Sequence, residues 1–352
     1  MMNRTCDDID KYKRRLPAEW EDYDAVLMAW PHRETDWAYM LESVQDTVVR
    51  IISELIDEGL KVIVAAPDME EVSEHLGRFP KDRLFVVEVP TNDTWARDFG
   101  VITCKDIDSG YVAVDFAFNG WGLKFPADRD NLVTSFMFNR HVIDARYENR
   151  LGFVLEGGSI ESDGKGTILT TSECLLSPNR NGDMSREQIE SYLKESLGAK
   201  RVLWLDYGYL AGDDTDSHID TLARLVSKDT IVYVKCDDCN DEHYSQLSLM
   251  EKQLMTFTTS DGQPYNLIGL PMPDPTYDED GNRLPATYAN FLITPRSVLL
   301  PVYGQPRCDE LARQIMKVVF PDREIRTVDC TSLIQQHGSL HCMTMQVPHF
   351  AL

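Results

Sequence analysis

Short apolar strands alternate with amphipathic helices along the whole chain, and the unit recurs about every 60–80 residues. No other feature constrains the fold as strongly. AVLMA (Ala25–Ala29), KVIVAA (Lys61–Ala66), LFVVEV (Leu84–Val89), RVLWL (Arg201–Leu205), IVYV (Ile231–Val234), NLIG (Asn266–Gly269), NFLI (Asn290–Ile293), SVLLP (Ser297–Pro301) and EIRTV (Glu324–Val328) read as strands. Between the first two, Met40, Leu41, Val44, Val48, Ile51, Ile52 and Leu55 keep helical spacing, with Asp36 as the expected cap and Gly59 as the stop. Asp68 is expected to cap a short helix, and Ser185 with Gln188 forms a capping-box pattern. A further helix is expected over Cys308–Phe320. By itself this alternation predicts an α/β chain with a doubly wound sheet.

A length of 352 residues allows two domains or one large one. Lys and Arg total 35 against 58 Asp and Glu, a formal charge of −23. That excludes a nucleic-acid binder working through a basic surface and argues against docking on anionic lipid. The opening MMNRTCDDIDKYKRR has no apolar core, and no apolar run reaches the ~18 residues of a membrane helix. Eight cysteines, at 6, 104, 174, 236, 239, 308, 330 and 342, form no disulfide framework and are expected as reduced thiols in a cytoplasm. The Pro-, Asp- and Gly-rich stretch Pro271–Pro285 reads either as a lid or as a solvated connection.

Four segments concentrate polar residues, Gly and Trp: Thr91–Gly100, Leu155–Asn181, Asp213–Leu225 and His337–Pro348. His218 and Asp220 flank Ile219, so on an extended segment both would project from one face, an imidazole beside a carboxylate. Cys342 lies in LHCMTM, a strand-like run in which a thiol would ordinarily be buried and inert. Cys236, Cys239 and His243 have zinc-like spacing but lack the fourth ligand of a structural site. The turn Glu156-Gly157-Gly158 matches neither phosphate-binding loop, and no G-x-S-x-G elbow is present. Beside Asp98, Arg97 reads as a partner for acidic neighbours.

In order, these segments resemble the agmatine deiminase and bacterial-type peptidyl-arginine deiminase family. The resemblance rests on W-x-R-D (Trp95, Arg97, Asp98), the long block Glu156–Asn181, D-D-T-D-x-H-x-D (Asp213–Asp220), Y-x-N-F (Tyr288–Phe291) and H-C-x-T (His341–Thr344). It spans about residues 17–348. It implies the pentein fold, a five-bladed α/β propeller with pseudo-five-fold symmetry, in place of the doubly wound sheet. Over five units, 352 residues give about 70 each, near the recurrence seen in the pattern. Residues 1–352 would form one deiminase domain, with 1–16 a poorly ordered extension.

Position by position, the resemblance assigns Cys342 as nucleophile, His218 as general acid and base, and Asp98 and Asp220 as the carboxylates that grip a guanidinium. Asn290, Trp95, Trp121, Glu156 and Asp214 would contact substrate, Asp214 at its far cationic end. The physics is consistent: a guanidinium presents a fixed fork of N–H donors that paired carboxylates can hold bidentately. Neither metal nor cofactor is expected. The partner is a small cationic guanidino compound, most simply agmatine, with homodimerisation allowed. Peptidyl or free arginine is the alternative substrate; an amidinotransferase or a non-catalytic polyamine binder is the alternative class. The chain departs from the family pattern at His337–Leu340, at Ser217 where a Gly is usual, and at Thr221 where an Asn is usual. Lys124 and Arg129, near Trp121, could form a wall or a clamp for a substrate carboxylate.

Overall fold

The computed structural model describes residues 14–108 and 110–348. Within them, five small sheets repeat one motif. The chain begins with β1 (Arg14–Arg15) and then lays down β2 (Ala25–Ala29), β3 (Lys61–Ala66) and β4 (Leu84–Glu88) as a parallel set. Next come β5 (Ile102–Asp106), β6 (Gly110–Ala117) and β7 (Arg146–Val154), the first pair antiparallel and the second parallel. The same order holds for β8 (Ile160–Ser162), β9 (Thr167–Thr171) and β10 (Arg201–Leu205). It holds again for β11 (Ala223–Ser227), β12 (Thr230–Lys235) and β13 (Asn266–Pro271), and for β14 (Leu292–Ile293), β15 (Ser297–Val302) and β16 (Glu324–Asp329). Finally β17 (Met345–Val347) returns antiparallel to β2, which completes the motif in the first sheet, while β1 extends the second along β5.

Parallel neighbours need a crossover, and each is made by a helix. The helices are Leu41–Asp57, Met69–Leu76, Val133–Asn139, Arg186–Leu197, Tyr244–Leu254 and Pro306–Val319. Leu41–Asp57 buries Val44, Val48, Ile51, Ile52 and Leu55 along one stripe, and each such side chain contributes about 1.5–3 kcal/mol of apolar burial. Asp68 accepts from the backbone of Glu70 and Glu71, and the Ser185–Gln188 capping box forms as read. Asp36 caps nothing: a 3-10 turn, Ala38–Met40, intervenes, and the helix starts at Leu41. The expected extension 1–16 lies mostly outside the described residues, and its last part, Arg14–Arg15, is paired with β5. Among the described residues, no helix is long and apolar enough to cross a membrane.

The motif leaves one short connection just ahead of the antiparallel strand in each sheet. These five connections hold Asp98, Glu156 with Gly158, His218 with Asp220, Asn290, and Cys342, ahead of β5, β8, β11, β14 and β17. Residues up to 244 positions apart in sequence therefore meet at equivalent points of successive repeats; one such meeting is Arg97 Nε with the His341 carbonyl.

Candidate active site

Asp98 sits on the helical turn Ala96–Phe99. Its Oδ1 accepts the Gly158 N–H at 3.0 Å and its Oδ2 accepts the Trp121 indole N–H at 2.9 Å. A Cβ on Gly158 would stand 2.7 Å from His218 Nδ1 and 2.8 Å from Asp98 Oδ1, so only glycine fits between these two groups. Burial raises the Asp98 carboxyl to about 6; His218 pulls it down, and Asp220 and Glu156 add to the rise.

His218 caps a second helical turn, Ile219–Leu222, with Asp220 inside that turn. The two side chains do not share one face of an extended segment, as the alternation suggested; the turn brings them into one cluster instead. Both His218 ring nitrogens are buried and make no hydrogen bond. Nδ1 lies 3.6 Å from Asp98 Oδ1 and Nε2 lies 3.9 Å from Glu156 Oε2. Glu156 is clamped by Arg180 Nε, 2.9 Å from each carboxylate oxygen. Arg180 also reaches Asp216 at 2.6 Å and the Thr215 carbonyl at 2.8 Å, which fixes the loop that carries His218.

In that loop Ser217 has φ +62°, the left-handed region that favours glycine. Asp213 accepts its N–H at 2.7 Å and Glu173 accepts its hydroxyl at 3.1 Å. His337 is left-handed too, at φ +67°. The next residue, Gly338, packs so closely on Trp95 that a Cβ would meet the indole at 2.3 Å. Non-glycine residues held in this conformation cluster where a surrounding network fixes them, as at binding sites.

Cys342 is not in a strand. It lies in a turn that precedes β17, and Asn290 Oδ1 makes that turn by accepting the backbone N–H groups of His341 (2.9 Å) and Cys342 (3.3 Å). The Cys342 Sγ is 3.4 Å from the same Asn290 oxygen and 4.0 Å from Asp220 Oδ2. Burial pushes the thiol pKa well up, and the Asp220 and Asp98 carboxylates push it further.

Behind Asp220 is an ionic network that the motifs did not reveal. His341 Nδ1 lies 2.7 Å from Asp220 Oδ2 and its Nε2 lies 2.6 Å from Glu19 Oε2. Arg224 reaches Glu19 at 3.0 Å and bonds Glu161, and Arg97 stands 3.6 Å from Glu19. Burial alone would raise the Glu19 carboxyl, but His341, Arg224 and Arg97 hold it far below the usual carboxylate range. Asp220 is likewise pulled down against its burial, first by the His341 hydrogen bond, and its Oδ1 is left without a partner. Arg97 is thus the acid-pairing residue it was read to be.

A pocket of about 430 Å³ opens onto this cluster. Its lining includes Cys342 and Asp98, the aromatic side chains of Trp95, Trp121 and Phe125, and the carboxylates of Asp36, Asp93 and Asp214. Burial raises Asp93 to about 7, with the Asp36 charge adding to the rise. Lys124 and Arg129 form no carboxylate clamp in the pocket, since they pair with Asp216 and Glu34. A second pocket, about 660 Å³, lies against Glu19, Arg97 and His341 and does not include Cys342.

The remaining sequence candidates are structural. His243 spends both ring nitrogens, on Asp241 (2.7 Å) and on the Ala211 N–H (2.8 Å), so the C-x-x-C segment gathers no metal site. Pro271–Pro285 is tied to its surroundings: Arg283 pairs with Asp241, and Gln305 Oε1 accepts the Asp274 N–H. The seven described cysteines are free thiols.

The fold and site define a family. The model of Porphyromonas-type peptidyl-arginine deiminases matches residues 15–348, and the chain belongs to that family. It is 50% identical to a Porphyromonas gingivalis chain solved under the provisional name arginine deiminase, covering 96% of this chain and all of that one, with a TM-score of 0.91. It is 34% identical to a substrate-bound agmatine deiminase of C. jejuni, covering 96% and 97%, with a TM-score of 0.87. A Mycoplasma capricolum protein with the provisional name agmatine deiminase is 33% identical over 355 residues, 95% of each chain.

Proposed function

We propose that this protein is a cytoplasmic, cysteine-dependent hydrolase that deiminates agmatine to N-carbamoylputrescine and ammonia. The single observation that carries the substrate is the charge along the pocket. Its lining includes Asp36, Asp93 and Asp214, and its basic side chain is His337, 3.9 Å from Asp214; among its described lining residues there is no Lys or Arg. That suits a second cationic end, as in agmatine, and gives a free arginine carboxylate no guanidinium or ammonium to pair with. The five sheets are read as five blades of one pseudo-symmetric domain, each presenting one connection to a central well.

Asp98 and Asp220 take the guanidinium between them and set its carbon before Cys342. The incoming cation offsets the two carboxylates that raise the thiol pKa, so substrate itself favours the thiolate. The Cys342 proton passes to His218, and the sulfur bonds to the guanidinium carbon. His218 returns the proton to the departing nitrogen, ammonia leaves, and a thiouronium remains on Cys342. Neutral His218 then takes a proton from water and hydroxide adds to the carbon; the C–S bond breaks, His218 returns its proton to the thiolate, and the ureido product loses its hydroxyl proton to solvent. Glu156, clamped by Arg180, positions His218.

An ammonia-release assay across agmatine, free arginine, and internal and C-terminal peptidyl arginine tests the reading. Agmatine is expected to have the highest kcat/KM. A preference for either arginine form would refute the agmatine assignment and favour the arginine reading, which the provisional name of the 50%-identical P. gingivalis chain supports.

A further inference from the structure

Beside the proton carrier His218 and its neighbour Glu156 stands a third donor, Cys174, that the proposed chemistry does not use. Glu156, Cys174 and His218 are all buried, and one donor atom from each lies within 4.8 Å of the other two. His218 Nε2 is 3.9 Å from Glu156 Oε2, and Cys174 Sγ is 3.9 Å from the same oxygen. Among the described residues this is the only such cluster. The independent observation is the imidazole: His218 is fully buried, and its Nε2 has no hydrogen-bond partner.

We propose that this cluster is an inhibitory site for a zinc-like divalent cation. A tetrahedral zinc ion with N, S and O ligands at about 2.0–2.3 Å needs donors roughly 3.3–3.8 Å apart, so side-chain shifts of up to about 1 Å complete the three-donor set. One thiolate, one imidazole and one carboxylate form a donor set that favours zinc over the hard cations magnesium and calcium. The metal would share Glu156 with Arg180, whose Nε lies 2.9 Å from both carboxylate oxygens and whose other end pairs with Asp216. The pocket reaches Asp98, which faces His218 Nδ1 at 3.6 Å; the cluster lies on the opposite, Nε2 side of the same ring. Binding exchanges the Cys174 S–H proton, released to solvent, for an S–metal bond, with no change of oxidation state.

Metal bound there occupies His218 Nε2 and removes the proton carrier, so deimination stops without any change at Cys342. The inhibition rests on the proposed role of His218; the binding does not. The test therefore uses purified Cys342→Ala protein, whose nucleophile is gone, and Zn2+ alone, titrated against a chromophoric chelator. One equivalent is expected to bind, and Cys342→Ala/Cys174→Ser is expected to bind about 100-fold more weakly or not at all. Co2+ in the Cys342→Ala protein is expected to give a thiolate-to-metal charge-transfer band that Cys174→Ser abolishes. Absence of binding in Cys342→Ala, or equal affinity with and without Cys174, overturns the site. Wild-type protein is assayed in parallel: tight zinc binding with undiminished ammonia release would keep the site and overturn its inhibitory role, whereas no ammonia release without metal would count against the functional reading instead.

Discussion

Glu19→Gln probes the network behind Asp220 most sharply. Glu19 is 8% exposed and faces three basic groups: His341 at 2.6 Å, Arg224 at 3.0 Å and Arg97 at 3.6 Å. Its Oε1 also accepts the Ile293 N–H at 2.8 Å, a bond that glutamine can keep. The substitution therefore removes charge while holding shape. Taking one partner from a buried ion pair costs about 3–5 kcal/mol, and retained hydrogen bonds place this case near 3 kcal/mol. At about 2 °C per kcal/mol for a chain this long, Tm should fall by roughly 6 °C at pH 7. The sign with pH follows from the depressed Glu19 pKa: its stabilising contribution is complete above the ordinary carboxylate range and fades as pH falls through and below that range. The wild-type and variant melting curves should therefore converge in acid. Loss of Glu19 also frees one side of His341, which positions Asp220, so KM for agmatine should rise. Differential scanning calorimetry from pH 3 to 8 with steady-state kinetics is the assay. A Tm within about 2 °C of wild type at pH 7, with unchanged KM, would refute the reasoning.

Other consequences follow from the same geometry. Asp98→Asn should abolish turnover yet raise Tm at pH 8, because a carboxyl raised to about 6 by burial stabilises the fold only below that pH; calorimetry beside the ammonia assay checks both. For the same reason wild-type kcat/KM should fall as pH drops through about 6, where Asp98 loses the charge that grips the guanidinium. Trp121→Phe keeps the wall and deletes the 2.9 Å bond to Asp98, a charge-assisted bond worth about 1.5–3 kcal/mol, so kcat/KM should drop roughly 10- to 100-fold. Gly158→Ala should cost at least as much activity, with a circular-dichroism spectrum like wild type, because the added methyl lands between His218 and Asp98.

Much of the fold was legible because strand and helix periods are local. β2, β3 and β10 fall on the residues whose apolar runs announced them, and the Ser185 capping box needs only its own four residues. Local reading failed where side chains override the pattern. LHCMTM alternates like a strand, yet Asn290 accepts two of its N–H groups and bends it into a turn. His218-x-Asp220 alternates too, but a helical turn begins there. The residues carrying the clearest motifs, Asp98, His218, Asp220, Asn290 and Cys342, do converge. Glu19 stayed hidden because it meets His341 across 322 positions of sequence, and a lone glutamate before a Trp carries no signal of its own. Arg180 could have been suspected from its place in the long central block, but its target, Glu156, emerges only from the fold.

The central claim is a covalent intermediate on Cys342. Rapid-quench turnover of agmatine, followed by mass spectrometry of the proteolysed protein, tests it directly. The account predicts a transient thiouronium adduct on the Cys342 peptide in wild type, and neither adduct nor ammonia in Cys342→Ala. Ammonia release from agmatine by Cys342→Ala at the wild-type rate would contradict it.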